Sequence, residues 1–369
     1  MRNNTKKIMC GKVQIGAGAP VSIQSMCNVK TTDIELVTGQ IKELYLAGCD
    51  IVRVAIPDME AANAIKIIKQ QLKAETVDIP IVADIHFDYK LAIAAIENGA
   101  DKIRINPGNI GGDDRVREVV KKAKEYGIPI RVGVNSGSLE KDILEREGGV
   151  TAKGLAESAE RVVKLLESMD FCDMVVSIKS SDVGLNFEAT KLLSERIDYP
   201  LHIGVTEAGT RRMGEIKSAA GIGALLLSGI GDTFRVSLTS APINEVNFAK
   251  DLLKAIGLRK TGIELVSCPT CGRTNIDLEG IAGKVEKALR PLDAEFSKAG
   301  KSIKIAVMGC AVNGPGESRE ADIGVAGGNG KAVVFSKGVI VKTIPEAEIV
   351  PEITRLASLE LQRQKGAEL

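Results

Sequence analysis

Apolar and polar positions follow two rhythms along this chain. Short runs rich in Val, Ile and Ala recur near Val21–Met26, Ile51–Ala55, Ile79–Ile85, Lys102–Asn106, Pro129–Val134, Met174–Ile178, Leu201–Val205 and Ala224–Leu227. Between them lie longer segments with apolar residues every three or four positions, such as Asp33–Ala47, Met59–Ala74, Asp114–Tyr126 and Leu155–Met169. The short runs read as strands and the long segments as amphipathic helices. Most of the strands are almost continuously apolar, as expected when both faces of a parallel sheet are buried. Strands alternating with helices over the first two thirds of 369 residues have the rhythm of a TIM (β/α)8 barrel, which typically spans about 250 residues. An open doubly wound sheet competes, but no Gly-x-Gly-x-x-Gly opens a helix after an early strand. The expected fold class is α/β, with a barrel over 1–257 and a smaller α/β domain over 258–369.

The pattern changes after 257. A strand near Ile263–Val266 leads into a Cys-x-x-Cys turn, and a helix follows near Leu278–Leu289. A second strand, Ile303–Met308, ends at Cys310, ahead of a Gly-rich turn at Asn313–Gly316. Further strands near Asp322–Ala326 and Ala332–Ser336 precede a charged helix, whose tail beyond Ala357 is expected to fray.

Barrel enzymes carry their chemistry at the carboxyl ends of the strands. Those ends here hold Gln24 and Asn28, Arg53, Asp84 and His86, Arg104 and Asn106, Arg131 and Asn135, Lys179, Thr206 and Glu207, then Asp232 and Arg235. A single strand-end cation is commonly a rim ion pair. Four strands ending in cations are harder to explain that way, and Arg53, Arg104 and Arg131 interrupt apolar runs. Burying them is costly unless something anionic meets them, and guanidinium forks suit phosphate oxygens. The Gly-rich stretch Ser228–Thr233 follows the last apolar run and is expected to bind phosphate through backbone amides. A small, multiply phosphorylated ligand is the expectation. Of the two histidines, His202 lies inside an apolar strand, where an isolated histidine is usually a hydrogen-bonded core residue. Glu207 would sit among cations, suited equally to proton transfer or to plain ion pairing.

Three thiols bear on the chemistry of the second domain. Cys268 and Cys271 share the segment Ser-Cys-Pro-Thr-Cys-Gly-Arg, and Cys310 lies far downstream in Met-Gly-Cys-Ala-Val-Asn-Gly-Pro-Gly-Glu-Ser, which ends with Glu317 and Ser318. This spacing points to a metal or cluster site. An iron–sulfur cluster here would need a non-cysteine fourth ligand or an open iron, which suits chemistry on a substrate. A zinc knuckle remains open, although the second Cys-x-x-Cys pair that usually closes one is missing. Three coincidentally buried thiols also remain open. A disulfide fits poorly with seven cysteines and no secretory leader pattern. Cys10, Cys27, Cys49 and Cys172 are scattered singly and read as small core residues.

Composition narrows the function classes. With 49 basic and 48 acidic residues, charge gives no case for nucleic acid or a membrane surface. Aromatic residues make up 3% of the chain and Trp is absent, so base-stacking platforms are not expected. No apolar run is long enough to span a bilayer. The expected setting is soluble and cytoplasmic.

Several segments together resemble one known family. They are Ile-Gln-Ser-Met (23–26), Ala-Gly-Cys-Asp-Ile-Val-Arg-Val-Ala (47–55), Ala-Asp-Ile-His-Phe (83–87) and Ile-Arg-Ile-Asn-Pro-Gly-Asn-Ile-Gly (103–111). Arg-Val-Gly-Val-Asn-Ser-Gly-Ser-Leu-Glu-Lys (131–141), Gly-Val-Thr-Glu-Ala-Gly (204–209), Cys-Pro-Thr-Cys-Gly-Arg (268–273) and Asn-Gly-Pro-Gly-Glu (313–317) complete the set. The chain resembles the 4-hydroxy-3-methylbut-2-enyl diphosphate synthases of the methylerythritol phosphate pathway, in their two-domain bacterial form. The resemblance runs from about residue 5 to 350.

It implies a TIM barrel joined to a [4Fe–4S] domain, with Cys268, Cys271, Cys310 and Glu317 as cluster ligands. It implies reductive ring opening and dehydroxylation of 2-C-methyl-D-erythritol 2,4-cyclodiphosphate. The implied substrate contacts are Arg53, Arg104, Asn106, Arg131, Asn135, Lys179, His202, Thr206, Arg235 and Ser237. Asp84, His86 and Glu207 would lie near the reacting carbons, with Glu207 donating a proton to the leaving hydroxyl. A ferredoxin or flavodoxin would supply electrons to a homodimer in which one subunit's cluster domain caps its partner's barrel. Two positions depart from the family pattern: Cys27 stands where Thr is expected and Ser318 where Ala is expected. Neither removes a charge or an implied ligand. The rival readings are a redox-inactive phosphate-binding barrel with structural zinc, and a zinc-ribbon docking module.

Overall fold

Helix starts in the first two thirds of the chain are set by short acidic or hydroxyl side chains. Asp33, Asp58, Asp88, Thr151 and Asp182 each accept a hydrogen bond from a backbone N–H in the first turn of the helix they precede. Asp58, Asp88 and Asp182 follow closely on the strand ends Ala55, Asp84 and Lys179, whereas Thr151 follows the helix Lys141–Glu147. In the computed structural model the described residues are 5–310 and 320–366. The chain divides into two compact units, Met1–Leu258 and Arg259–Leu369.

The first unit opens with a hairpin, β1 (Ile8–Cys10) and β2 (Val13–Ile15), which the periodicity did not reveal. Eight parallel strands follow: β3 (Ser22–Met26), β4 (Ile51–Ala55), β5 (Ile81–Asp84), β6 (Lys102–Ile105), β7 (Ile130–Asn135), β8 (Met174–Lys179), β9 (His202–Ile203) and β10 (Thr233–Phe234). Each pairs with the next, and β10 returns to β3. Between β8 and β9 the ring closes through one parallel bridge, Val176 to Leu201, with the Val176 N–H donating to the Pro200 carbonyl at 2.9 Å. This is the expected TIM barrel. Outward-facing Val, Ile and Ala pack under the surrounding helices in one continuous core. The hairpin closes the amino-terminal end, where Ile8, Cys10 and Ile15 pack on Ile51, Val82 and Val175.

The eighth strand corrects the sequence reading. Ala224–Leu227 belongs to the helix Arg211–Leu227, and the strand is Thr233–Phe234. A short apolar run carries the same signal whether it is strand or buried helix. Leu225 and Leu226 are buried while Leu227 is 71% exposed, as a helix surface requires. The Gly-rich stretch Ser228–Thr233 therefore precedes the strand and lies at the barrel end opposite the expected site. Asp232 there accepts from the Leu201 N–H (2.9 Å) and the Thr5 hydroxyl (3.0 Å), so it fastens the barrel base. The expected phosphate cradle in that stretch is thereby overturned.

The second unit is a five-stranded sheet in chain order: β11 (Gly262–Ser267), β12 (Ser302–Met308), β13 (Ile323–Gly328), β14 (Lys331–Ser336) and β15 (Val339–Pro345). The first three run parallel and the last two pair antiparallel. The helices Leu278–Lys298 and Ile349–Gly366 bury Val285, Leu289, Phe296, Ile353 and Leu361 against one sheet face. Ala357 and Leu361 are buried, so the last helix holds to Gly366 rather than fraying after Ala357. Arg355, Arg363 and Lys365 are exposed on its outer face, which made it look unanchored in sequence.

Candidate active site

The pairing register sorts the barrel interior into tiers, each filled by alternate strands. Deepest are Ile51, Lys102, Val175 and Thr233, then Gln24, Val82, Arg131 and His202. Above them come Arg53, Arg104, Ser177 and Arg235, then Met26, Asp84, Gly133 and Gly204. Continuing the register past the strand ends places Asn106, Lys179 and Ser237 together, with His86, Asn135 and Thr206 at the rim. Apart from Asp232, the strand residues singled out by sequence thus line the barrel interior from the tier of Gln24, Arg131 and His202 up to the carboxyl mouth. The two glycines matter because they leave the tier above the arginines without side chains on two of its four strands. A Cβ at Gly133 would stand 3.7 Å from Arg104, and one at Gly204 3.7 Å from Lys179 Nζ, so both cations border that space.

Charge in this region is strongly unbalanced. Arg53, Arg104 and Lys179 are 7–8% exposed and Arg131 1%. Asp84, on β5, lies 3.6 Å from Arg53 Nε, 3.2 Å from Arg104 NH1 and 3.6 Å from His86 Nε2. Burial would raise its pKa, but Arg53, the hydrogen bond from His86, Arg104 and Arg131 hold it well below the usual carboxylate range. Burial presses Lys179 well below its ordinary range, and Arg131, Arg53, Arg235 and Arg104 add to the effect. Burial also lowers Arg53 to about 10, and the guanidiniums keep their protons at neutral pH. His202, wholly buried among Arg131, Lys179 and Lys102, is held neutral by burial first and by those cations second.

Three participants were not visible in sequence. Glu245, 3% exposed in the first turn of the helix Pro242–Ala255, accepts from Arg235 at 3.2 and 3.1 Å, from the Ser25 hydroxyl at 3.1 Å and from the Leu238 N–H at 3.0 Å. A glutamate in a first turn normally signals only the helix dipole, so nothing in the sequence ties it to Arg235. Met26 Sδ accepts from Arg53 at 3.1 and 2.9 Å, a soft brace that adds no charge of its own. Lys102 occupies the deepest tier. We expect Glu245→Gln to lower stability by about 3 kcal/mol through a broken buried pair. In a unit of this size that is roughly 6–12 °C in Tm. An unchanged melting curve would show that Arg235 does not depend on this partner.

At the rim, His86 and Glu207 are exposed, and Glu207 takes a left-handed backbone (φ 51°), a conformation that costs free energy for a non-glycine residue. Asn106 caps the turn Pro107–Ile110, its side chain accepting from the Gly108 N–H at 3.2 Å.

In the second unit, Cys268 directly follows β11 and Cys310 lies two residues past β12, on adjacent parallel strands paired through Ser267 and Val307. The Gly309 N–H donates to Cys268 Sγ at 3.3 Å, a contact that eases negative charge on sulfur. Cys271 is exposed, and the backbone of Arg273 and the Thr274 side chain draw its thiol below the usual range. Among the described residues no three His, Cys, Asp or Glu side chains form a single-ion shell. The donors fit an iron–sulfur group in chemistry, as soft thiolates on strand ends with an N–H aimed at sulfur. Glu317 and the Asn313–Gly316 turn lie outside the described residues.

Comparison with known proteins adds a decisive observation. Residues 5–250 match the GcpE TIM-barrel domain, and residues 264–358 match the GcpE protein C-terminal domain. The chain belongs to the GcpE family. Two GcpE relatives are named 4-hydroxy-3-methylbut-2-en-1-yl diphosphate synthase (flavodoxin). The protein from Ruminiclostridium cellulolyticum is 56% identical over 354 residues, covering 96% of this chain and 97% of its own. That from Fusobacterium nucleatum is 51% identical over 365 residues, covering 99% and 100%. Among solved structures, type I 3-dehydroquinate dehydratase from Clostridium difficile superposes with a TM-score of 0.51 at 17% identity, covering 69% of this chain and 97% of that one. At that identity the likeness concerns the barrel fold alone, and function follows from the GcpE assignment.

Proposed function

We infer that the chain is a 4-hydroxy-3-methylbut-2-en-1-yl diphosphate synthase, an oxidoreductase of isoprenoid precursor biosynthesis. It opens the ring of 2-C-methyl-D-erythritol 2,4-cyclodiphosphate, takes up two electrons and two protons, and releases one water. The observation that carries this reading is the cation excess in the barrel: among the described residues, Arg53, Arg104, Arg131, Lys179 and Arg235 have the carboxylates of Asp84 and Glu245 among them. A doubly anionic ligand matches that excess.

In this reading Arg53, Arg104, Arg131, Lys179 and Arg235 bind the diphosphate oxygens, and Asn106, Asn135, His202, Thr206 and Ser237 contribute neutral hydrogen bonds. Asp84 fixes Arg53 and Arg104 in place and orients His86, and Glu245 does the same for Arg235. With so many guanidiniums preset, little reorganisation remains when the ligand docks. His86 and Glu207 serve at the reacting carbons, and the Glu207 carboxyl protonates the departing hydroxyl. Cys268, Cys271, Cys310 and Glu317 hold a [4Fe–4S] cluster, which supplies the two electrons when bound. A carboxylate is a harder and more readily exchanged ligand than a thiolate, so Glu317 would be the most weakly held donor of the set. Flavodoxin, or a ferredoxin, delivers the electrons, the chain works as a cytoplasmic homodimer, and no helix of the described residues is long and apolar enough to cross a membrane.

The test is anaerobic turnover of the cyclic diphosphate with reduced flavodoxin, alongside iron and sulfide analysis. Formation of the linear hydroxymethylbutenyl diphosphate with about four irons per chain is expected. A colourless protein with stoichiometric zinc and no product would overturn the reading in favour of a redox-inactive barrel.

A further inference from the structure

The barrel beneath the arginines is unusually polar. Among the described residues, the hydroxyls of Ser22, Ser177 and Thr233, the Gln24 amide, both His202 ring nitrogens and Lys102 Nζ are buried without a hydrogen-bond partner. Lys102 is 0% exposed and sits in the deepest tier beside Ile51, Val175 and Thr233. The apolar hairpin side chains Ile8, Cys10 and Ile15 close the space below. An ammonium in this position is shielded from bulk solvent and has no protein acceptor among the described residues, and burying such a charge is costly.

The groups facing Lys102 do not offset that cost. Arg131 of β7 and Arg53 of β4 lie above it, and the Cys10 thiol of β1 lies below. From β9 comes His202, itself kept neutral, while Lys179 of β8 and Arg235 beyond β10 add positive charge higher up. Asp84 of β5 is committed to Arg53 and Arg104. The neighbouring Asp101 accepts two hydrogen bonds from Lys69 at 2.8 Å and one from the Ile81 N–H. Strand β3 contributes only the neutral Ser22 and Gln24. The guanidiniums do not give up protons, so an amine must relieve the repulsion. Burial and four arginines press Lys179 further below its range than Lys102, but Lys179 retains some solvent exposure at 8%, whereas Lys102 has none. Burial accordingly presses the Lys102 ammonium below its usual range, against Cys10 and together with Arg131 and Arg53.

We propose that Lys102 is a positioning residue for the diphosphate, an uncharged amine in the empty barrel that takes up one proton when an anionic ligand docks on the arginine tier above it. The ligand's negative charge lowers the positive potential felt at Nζ, so the proton enters from solvent with binding and no substrate bond changes. Affinity then falls as pH rises across the range between the free and bound states of the amine.

The inference rests on the cyclic diphosphate reading, and its probe is that substrate, titrated into oxidised holoprotein without an electron donor. Each phosphorus carries one strongly acidic group, so the ligand's charge is constant near neutrality. Calorimetry in two buffers of different ionisation enthalpy counts the protons. The parent is expected to take up about one proton per ligand, with Kd weakening by up to about tenfold per pH unit. Lys102→Met is expected to bind without uptake, whereas a merely structural lysine would change affinity and leave proton stoichiometry alone. Uptake that persists in Lys102→Met, or that vanishes instead in Lys179→Met or His202→Gln, overturns the assignment. Should Lys102→Met not fold, a pH-independent Kd in the parent overturns it equally. Binding without uptake sinks this inference alone, and no binding at all sinks the substrate reading with it.

Discussion

Cys310→Ser is expected to purify with most of its iron and sulfide missing and with turnover abolished. Cys310 is 7% exposed at the end of β12, next to the strand that ends at Cys268. Serine preserves the shape of the side chain but replaces a soft, readily ionised thiol with a hard hydroxyl that binds iron poorly. The sheet beneath it, with Ala306, Met308, Ala326 and Phe335 buried on the same face, does not depend on the sulfur. Circular dichroism should therefore match the parent while metal content collapses. A variant with full iron content and undiminished activity would remove Cys310 from the ligand set, and the spectrum would distinguish this from simple misfolding.

Arg104→Ala should raise the KM for the cyclic diphosphate by a factor of about 30 to several thousand, the equivalent of losing roughly 2–5 kcal/mol from a buried charge-assisted contact. Its NH1 is 3.2 Å from Asp84 while its Nε is buried without a partner, so the side chain still has hydrogen-bonding capacity to offer a ligand. Thermal stability should move less than KM. The substitution deprives Asp84 of one partner, but Arg53 and His86 remain, and it relieves repulsion with Arg53 and Arg131. Equal KM values for the two proteins would place the phosphate elsewhere in the barrel.

The residues of this site were legible because buried charge is rare and leaves a conspicuous pattern. Arg53, Arg104 and Arg131 break apolar strand runs, and the register then sets Arg53 and Arg104 in one tier with Arg131 just below. The eighth strand was not legible. Two residues long, it has no period of its own, while Ala224–Leu227 has the composition of a buried strand within a helix. That single misreading moved Asp232 and the glycines around it from the base of the barrel to its mouth. Glu245 and Lys102 escaped for a different reason. An acidic residue in a first helical turn and a lysine at a strand start are both ordinary in sequence, and only burial makes them unusual.

By itself the sequence determined the α/β class, the barrel rhythm, the cationic strand ends and the thiol pattern, because periodicity and residue type are local properties of the chain. The tertiary structure decided which strand closes the ring, which end of the barrel each loop occupies, and how the charges are compensated. Those are properties of pairs of residues far apart in sequence: Arg235 acquires Ser25 as a neighbour only through Glu245, and Asp84 joins β4 to β6 only once three strands lie side by side. Electrostatic free energy depends on those distances and on exclusion of water, and neither exists until the chain has folded.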